Sequence, residues 1–244
     1  MNIFEKIKFL LQKPKVVIVV GEGRACATKA IQKVLGKYKN EILIFETDIS
    51  LSEFNISKFR HIEFLIKNSS LPILVVTNLG DIPPEKDCNP PTIRGASTQV
   101  EEGGGRVGVP QAGPFFAGEK NEKIEELAKT IPTQGFLVLN FDDEAVRKIA
   151  DIANLKTLTF GFQEGADFRV SDVKFNGRDA SSSCQTREEP VLGTNFKINY
   201  KGNTVPVWLE KLFGKEQIYS ALAAATVGVI FDLNLVEISQ ALNV

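Results

Sequence analysis

The chain has 244 residues, 43% of them hydrophobic, which is enough to bury a full core. We expect a single domain over residues 1–244. The 29 basic and 30 acidic residues give a formal net charge of −1, a balance that excludes a strong field for gathering nucleic acid or an anionic membrane surface, so neither is expected as a partner.

The N-terminal residues predict a short amphipathic helix. In MNIFEKIKFLLQKPK, Lys and Glu interrupt the apolar positions, unlike the unbroken apolar stretch of a secretory signal, and no segment approaches a membrane span. The three cysteines, Cys26, Cys88 and Cys184, lie far apart without a CxxC spacing, which argues against a zinc site and a disulfide framework. We therefore expect a reducing compartment, the cytoplasm.

Short β-branched runs then alternate with helical patterns as far as residue 161. The predicted strands are 16–20, 42–45, 73–77, 136–139 and 157–160. The predicted helices, with apolar residues three or four apart, are 28–35, 56–67, 120–130 and 143–152. This alternation predicts βαβ crossovers and a doubly wound, mostly parallel α/β sheet.

After Gly161 the pattern changes to one typical of antiparallel strands. Residues 168–175 and 196–200 alternate in polarity, and a tight turn at 201–203 leads into 204–208, which predicts a small antiparallel β appendage. Two helices, 216–231 and 235–242, follow it. The first has an Ala-rich face that permits close packing on the sheet.

Two segments match no helix or strand. Residues 88–114 hold many Gly and Pro without periodicity, and residues 176–192 have a similar polar composition. Both are expected to be inserted flexible loops, because such composition cannot bury enough apolar surface to order itself. Either loop could also bind something, although a solvated chain is the usual behaviour of such composition.

The stretch VVIVVGEGRACATKAIQKVL runs from an apolar strand through a glycine turn into a helix. In this setting backbone N–H groups and the helix dipole hold phosphate, and Gly21 and Gly23 keep the turn open. A working phosphate loop would read G-x-x-G-K-[ST], with the lysine on the terminal phosphates and the hydroxyl on Mg²⁺. The matching positions here are Arg24, Ala25 and Cys26.

Thr28 and Lys29 remain in the first helical turn, so an anion could still bind to backbone donors there. Loss of one preorganised electrostatic group from an active site costs about 2.7 to 4 kcal/mol. Ala25 therefore predicts a severe loss of phosphoryl transfer unless Arg24 or Lys29 substitutes. The alternatives are a strand-to-helix turn without a ligand and, for Cys26, either a thiol of lowered pKa or a small packed residue.

An ordered series of motifs carries a resemblance to a known family. The series is the glycine turn with TKAI, then VVTNLGD, FLVLNFDDEAV, LTFGFQEGADFRVSDV, GTNFKINYKG and GKEQIYSALAAATVGV. Over about residues 14–244 it resembles the central, ATP-binding domain of the Mur ligases, which has a P-loop NTPase-like fold. Within that family it looks most similar to the ligase that adds D-alanyl-D-alanine to the muramoyl tripeptide.

The resemblance implies ATP and Mg²⁺ as cofactors and a role in peptidoglycan precursor synthesis. Such ligases phosphorylate a substrate carboxylate, and an amino group then attacks the acyl phosphate. They are three-domain enzymes, and the resemblance covers only the central domain. We therefore expect that this chain needs separate ligase domains or chains to hold both substrates.

The resemblance also implies site residues. Asn140 and Asp143 in LNFDD match an N-x-D-D run whose asparagine faces the adenine, and both follow the carboxyl end of a strand, where ligands bind. Glu46 resembles a Mg²⁺-binding glutamate, but it is equally explained as a loop charge. Lys123 lies one residue from the family's carbamylated lysine, and a solvated helix face also explains it.

Other positions depart from the family pattern. Where the family has G-[RK]-H-N, this chain has Glu216 and Gln217 in place of the histidine and asparagine at nucleotide-binding positions. The histidine after VVTN-x-G is missing. The sole histidine, His61, has helical spacing and is expected to be a surface or packing residue.

Two hypotheses follow for function. The first is an ATP-dependent acid to amino-acid ligase of the Mur type with weakened or lost catalysis. The second is a non-catalytic nucleotide-binding or scaffold protein that kept the fold after losing the chemistry.

Overall fold

One eight-stranded sheet organises the chain. The computed structural model describes residues 3–48, 56–79, 114–176, 193–209 and 214–243. The strands are β1 Lys15–Val20, β2 Ile42–Thr47, β3 Pro72–Val76, β4 Phe136–Asn140, β5 Lys156–Gly161, β6 Phe168–Asn176, β7 Gly193–Tyr200 and β8 Asn203–Leu209. Their order in the sheet is β2-β1-β3-β4-β5-β6-β7-β8, parallel as far as β6 and antiparallel from β6 to β8.

Helices cover both faces of this sheet. They are α1 Ile3–Gln12, α2 Arg24–Val34, α3 Ile56–Asn68, α4 Pro114–Thr130, α5 Glu144–Ile152, α6 Lys215–Ile230 and α7 Leu235–Leu242. Across the part of the chain that the structure describes, no helix is long and apolar enough to cross a membrane.

Strand residues alternate between two cores. Val17 and Val19 of β1 point to the core that contains α2, α6 and α7, while Val16 and Ile18 point to the core on the other face, built with α1, α3, α4 and α5. The alternation follows from the period of two in a strand. Because both faces are covered, β1 and β3 are almost wholly apolar and buried. The doubly wound α/β fold predicted from the sequence is confirmed.

Two helices begin earlier than predicted. The first turn of α2 starts at Arg24, directly after Gly23 with its φ of 75°, whereas the apolar spacing predicted 28–35. The apolar spacing does not extend over Arg24 to Cys26, so it could not indicate this first turn. Helix α4 starts at Pro114. A proline is tolerated in the first turn of a helix, because its fixed φ suits the helix and no backbone N–H is needed there.

Pro114 and Asn176 were predicted to belong to flexible loops, and the structure assigns them to α4 and β6. The remaining residues of the two predicted loops, 88–113 and 177–192, lie outside the described residues.

The predicted antiparallel appendage continues the main sheet. Strand β6 runs parallel to β5, but only Phe160 and Gly161 of β5 pair with it. Parallel neighbours usually need a crossover of a dozen or more residues, and here residues 162–167 alone connect the two strands. The short connection folds back through Asp167, whose Oδ2 accepts hydrogen bonds from the N–H and hydroxyl of Thr159 at 2.8 Å each.

The hairpin of β7 and β8 and helix α7 form one unit. Lys201 and Gly202 connect the strands with φ values of 47° and 79°, as a two-residue turn of this handedness requires. Helix α7 then packs on β8. The Ser239 hydroxyl donates to the Pro206 carbonyl at 2.6 Å, and the Trp208 N–H donates to Asn243 Oδ1 at 2.9 Å.

Candidate functional site

The carboxyl ends of β1, β3 and β4 meet at one edge of the sheet. The chain passes from β1 to β2 on one side of β1 and then crosses to β3 on the other side. This reversal of direction leaves a crevice beside β1, which is where open α/β sheets bind ligands. The predicted site residues at this edge are the glycine turn after β1 and Asn140 at the end of β4.

The glycine turn is anchored to the segment after β3. Gly21 has a φ of 102°, and a Cβ built on it would lie 2.6 Å from the Asn78 carbonyl oxygen. The N–H of Glu22 donates to that same oxygen at 2.7 Å. The Thr77 hydroxyl shares its single hydrogen between the carbonyl oxygens of Val20 at 3.0 Å and Glu22 at 2.5 Å. The turn therefore requires glycine at position 21, and the N–H of Glu22 already has an acceptor.

The start of α2 contacts the start of α6. Gly23 is the N-cap of α2, in the left-handed region with a φ of 75° and without a side chain to cap the helix. A Cβ built on Gly23 would lie 2.8 Å from Oε1 of Glu216. The structure thus brings together Gly23 and Glu216, two predicted nucleotide-binding residues that lie far apart in the sequence.

The cations predicted for the phosphate loop point elsewhere or lie exposed. Arg24 forms a salt bridge with Asp48 at 2.9 Å and also donates to the Gly21 carbonyl at 3.3 Å. Asp48 follows β2, at the edge strand of the sheet. Lys29 is exposed on α2. The guanidinium of Arg24 is therefore bound to the carboxylate of Asp48. A working phosphate loop would instead have a lysine that contacts the phosphates.

Two predicted site residues carry buried oxygen atoms without a hydrogen-bond partner. They are Oγ1 of Thr28 and Oε1 of Gln217. Thr28 is only 7% exposed, and because α2 begins at Arg24 it lies in the second turn of the helix and not in the predicted first turn. Gln217 lies in the first turn of α6. Buried polar atoms are nearly always paired in folded proteins, so each orphan needs an explanation such as a bound water or ligand.

Asn140 and Asp143 support the local structure after β4. Asn140 is 3% exposed and its Oδ1 accepts from the Asp142 N–H at 3.0 Å. Asp143 caps α5, where Oδ1 accepts from the N–H groups of Ala145 and Val146, and its Oδ2 accepts from the Leu79 N–H at 2.7 Å. Both oxygens of Asp143 therefore have backbone donors, while a nucleotide-binding role for either residue stays a prediction.

Asp142, which the sequence did not indicate as a site residue, ties three segments together. Its Oδ2 accepts from the Phe162 N–H at 2.6 Å and from the Tyr219 hydroxyl at 2.8 Å, and its Oδ1 accepts from the Gln163 N–H at 3.0 Å. Burial, followed by the hydrogen bond to Asp142, raises the pKa of Tyr219. The only signal in the sequence was the Asp-Asp pair of LNFDD.

The described residues do not fit the expected magnesium site. No three Asp, Glu, His or Cys side chains come together in them in a way that could hold a metal ion. Glu46 is exposed and lines a cavity of about 740 Å³ beside Lys58 and Arg60, two cations that oppose a divalent ion. Lys123, half-buried, lies on α4, which packs on the opposite face of the sheet from α2 and α6.

His61 lines the same cavity as Glu46, between α1, β2 and α3. Burial, and then nearby positive charge that includes Lys6, lowers its pKa below the ordinary value of 6.5. Since His61 is the only histidine, a proton NMR titration should report this pKa directly. We expect Lys6→Gln to move it upward toward 6.5, whereas Lys8→Gln, at an exposed position of α1, should leave it unchanged. An unchanged pKa in both variants would show that Lys6 has no influence.

Cys26 is 8% exposed near the start of α2 and is disulfide-bonded, whereas the cysteine spacing predicted no disulfide framework. Spacing along the chain does not limit which cysteines approach in space. The other two cysteines lie outside the described residues.

Comparison with known proteins is consistent with this geometry. A family model described as the Mur ligase middle domain matches residues 120–228. The UDP-N-acetylmuramate--L-alanine ligase of Clostridium beijerinckii is 30% identical over 118 residues, which cover 46% of this chain and 23% of the relative. The UDP-N-acetylmuramoyl-L-alanyl-D-glutamate--2,6-diaminopimelate ligase of Chlamydia abortus is 28% identical over 112 residues, 46% of this chain and 20% of the relative.

Solved structures share the fold over nearly the whole chain. UDP-N-acetylmuramoylalanyl-D-glutamyl-2,6-diaminopimelate--D-alanyl-D-alanyl ligase from Acinetobacter baumannii superposes with a TM-score of 0.65 at 12% identity, covering 98% of this chain and 47% of that one. The MurF ligase from Thermotoga maritima in complex with ADP superposes with a TM-score of 0.62 at 14% identity, covering 96% of this chain and 50% of that one. A pseudomurein peptide ligase type C from Methanothermus fervidus superposes with a TM-score of 0.58 at 17% identity, covering 100% of this chain and 51% of that one.

This chain therefore spans about a quarter of the curated relatives that it matches and about half of these solved structures. The sequence matches include ligases of more than one specificity, so they do not single out the D-alanyl-D-alanine-adding member expected from the motifs. This chain is therefore similar to the Mur ligase middle domain over residues 120–228 and shares the fold of solved Mur ligases.

Proposed function

We propose that this chain is a nucleotide-binding domain of the Mur ligase type, related to ATP-dependent ligases of peptidoglycan precursors, in which phosphoryl transfer is weakened or lost. The observation that carries nucleotide binding is the pair of buried orphan oxygens on Thr28 and Gln217. They lie in two helices whose first turns meet at Gly23, beside the crevice. Both oxygens are buried, so a polar ligand would reach them only after a small shift of the two helix starts, and it would then supply the missing hydrogen-bond partners.

Weakened transfer follows from the side chains around the glycine turn. Phosphoryl transfer is catalysed mainly by positioning and by positive charge on the phosphates. Ala25 has no charge, and the guanidinium of Arg24 is bound to Asp48. Cys26 occupies the position of the metal-binding hydroxyl. Without a fitting metal site in the described residues, we propose that nucleotide affinity depends little on Mg²⁺.

Calorimetric titration with ATP and ADP, with and without Mg²⁺, tests both parts of the proposal. We expect binding that changes little with Mg²⁺, together with slow or absent release of ADP. Strong Mg²⁺-dependent binding with turnover would contradict the loss of catalysis. If neither nucleotide binds, nucleotide binding itself is excluded.

The orphan hydroxyl gives a sharper prediction. Thr28→Val removes a buried oxygen that has no partner, so the ligand-free protein should become more stable by about 1 kcal/mol, while ATP binding should weaken. The matched control is Thr226→Val, because the Thr226 hydroxyl is equally buried but donates to the Leu222 carbonyl at 2.9 Å. The free energy of unfolding of Thr226→Val should fall by about 1 kcal/mol, and its ATP affinity should not change. Urea denaturation and calorimetry measure the two effects.

If Thr28→Val instead destabilises the protein as much as Thr226→Val does, the Thr28 hydroxyl has a partner within the protein, and the main support for a bound nucleotide is lost.

A non-catalytic scaffold role is the second candidate. It is favoured by the closure of the glycine turn, where the Glu22 N–H is paired with the Asn78 carbonyl and the Thr77 hydroxyl contacts the carbonyls of Val20 and Glu22. Under this alternative, separate ligase domains or chains would be the partners. Addition of such domains without any release of ADP, although a stable complex forms, would support the scaffold role over the ligase.

A further inference from the structure

We infer that α1 attaches this protein to an anionic lipid surface, with its exposed apolar side chains among the lipids and its lysines at the headgroups. The inference is independent of the proposed nucleotide site, because α1 packs on the opposite face of the sheet from α2 and α6.

Helix α1 turns its apolar side away from the core. Among the side chains of α1 that the structure describes, Phe9 alone is buried, and its ring packs on Phe64 of α3 with 5.7 Å between the centroids. Phe4 and Leu11 are 84% and 81% exposed, and Ile7 is 50% exposed. At 3.6 residues per turn these three side chains share one face, opposite to Phe9. The helix therefore leaves in water the apolar stripe that a surface helix normally turns toward the core.

This stripe is unlike the other exposed apolar residues of the protein. Leu10, 41% exposed, widens it to four large side chains on one short helix. The other exposed large apolar side chains of the described residues, Leu43, Ile152 and Val236, lie singly on three different elements. Single exposed apolar residues are normal, whereas a contiguous patch marks a surface that meets a protein or a membrane.

Lysines border the stripe on both sides. Lys8 lies one helical turn from Phe4 and from Leu11, on one side. Lys6 lies one turn from Leu10, on the other side, and its ammonium group is 5.5 Å from the ring centroid of Phe64. The long stems of such lysines can pack along an apolar surface while the charged groups stay in a polar layer.

Positive charge is concentrated at this end of the chain. Residues 1–15 contain four lysines and one glutamate, so their side chains carry a net charge of +3, although the whole chain carries −1. The chain-wide value predicted no membrane partner, but it averages over this local excess. A helix with an apolar face bordered by lysines lies in the plane of an anionic membrane surface, where lipid covers the apolar face and the headgroups attract the lysines.

A second copy of the chain fits the stripe less well. Helix α1 has ten residues and is therefore about 15 Å long, whereas a stable protein interface buries about 800 Å² on each partner. A two-fold contact between α1 helices would also place the bordering lysines of one copy beside those of the other, which like charge disfavours. A lipid surface needs no matching shape, and its anionic headgroups attract these lysines.

The test is co-sedimentation of the full chain with large unilamellar vesicles. One set is phosphatidylcholine alone, and the other is equal parts of phosphatidylcholine and phosphatidylglycerol. We expect the wild-type chain to bind the anionic vesicles at least about tenfold more tightly than the neutral ones, because each lysine held at an anionic surface strengthens binding about fivefold. Added salt should weaken the binding to anionic vesicles.

The apolar part of the inference is tested by Ile7→Gln combined with Leu11→Gln. Both side chains are exposed, and glutamine retains a good helix propensity, so the fold should survive, as circular dichroism can verify. Binding to the anionic vesicles should weaken by at least about tenfold, because lipid no longer covers the two side chains. The matched control is Val236→Gln, at a position of α7 that is 55% exposed, which should bind as the wild type does.

The charged part is tested by Lys8→Gln. This variant should bind the anionic vesicles about fivefold more weakly and the neutral vesicles without change. Lys174→Gln, at an exposed position of β6, removes the same charge away from α1 and should leave both affinities unchanged. An equal loss in the two lysine variants would mean that net charge alone governs binding, and the role of α1 would be overturned.

Three further results would overturn the inference. One is no sedimentation of the wild-type chain with either set of vesicles. Another is equal binding by the wild-type chain and the Ile7, Leu11 variant. The third is a dimer in sedimentation velocity that this variant abolishes while vesicles bind neither form, because a second copy would then cover the stripe. The nucleotide titrations do not involve α1, so either proposal can fail while the other stands.

Discussion

Replacing Gly21 with alanine is expected to lower the free energy of unfolding by about 3 kcal/mol. The φ of 102° at this position is one that L-residues rarely adopt, and a Cβ would lie 2.6 Å from the Asn78 carbonyl oxygen and 2.7 Å from the Thr77 hydroxyl. The alanine would therefore push the turn away from the segment after β3 and break the Glu22 to Asn78 hydrogen bond. Urea denaturation followed by fluorescence of Trp208, the sole tryptophan, measures the change.

Gly202→Ala is the matched control for backbone strain. Gly202 has a φ of 79° in the hairpin turn, but a Cβ there meets nothing within 4 Å. The free energy of unfolding of this variant should fall only by the cost of the left-handed backbone conformation, about 1 to 2 kcal/mol. Equal losses in the two variants would mean that the contact of the turn with Thr77 and Asn78 contributes nothing to stability.

Asp142→Ala is expected to have a similarly large effect, a loss of about 3 kcal/mol. The substitution leaves the N–H groups of Phe162 and Gln163 and the hydroxyl of Tyr219 without their acceptor. Asp142→Asn keeps one acceptor oxygen and should lose less. If the alanine variant is as stable as the wild type, water replaces the carboxylate at this junction and Asp142 does not hold the three segments together.

Tyr219 gives a second readout for the same residue. Its pKa is raised by burial and by the hydrogen bond to Asp142, so the folded state holds the phenol proton more tightly than the unfolded state does. The associated stability is present below the ordinary tyrosine pKa of about 10 and declines as pH rises above it. Absorbance titration should show one tyrosine of the three ionising late in the wild type. In Asp142→Asn its pKa should fall, and Tyr219→Phe should remove the late ionisation.

The periodicity of apolar residues was sufficient to predict the sheet. The run at residues 16–20 favoured a buried strand, because it is short, rich in β-branched residues and bounded by turn residues. The turn residues Lys201 and Gly202 likewise allowed the β7 to β8 hairpin to be predicted. What periodicity could not show was the parallel pairing of β6 with β5, since a connection of six residues is shorter than parallel strands normally allow.

The candidate site was predictable in part. Gly21 and Asn140 both follow parallel strands, so the sequence alone placed them at the same edge. The contact of Glu216 with Gly23 was not predictable, because it depends on how two distant helices pack. Nor could the pattern LNFDD distinguish its two carboxylates. Asp143 caps α5, while Asp142 reaches across to Phe162 and Tyr219.

The attachment of α7 to β8 has a consequence for how molecules of this protein meet in concentrated solution. A strand at the border of a sheet can recruit a strand from another molecule through its unpaired backbone groups, which leads to aggregation. Along β8, position 206 is a proline with no N–H to offer and its carbonyl is taken by Ser239, while the N–H of Trp208 is taken by Asn243. An incoming chain would find these backbone groups already engaged, which disfavours intermolecular strand addition along this border.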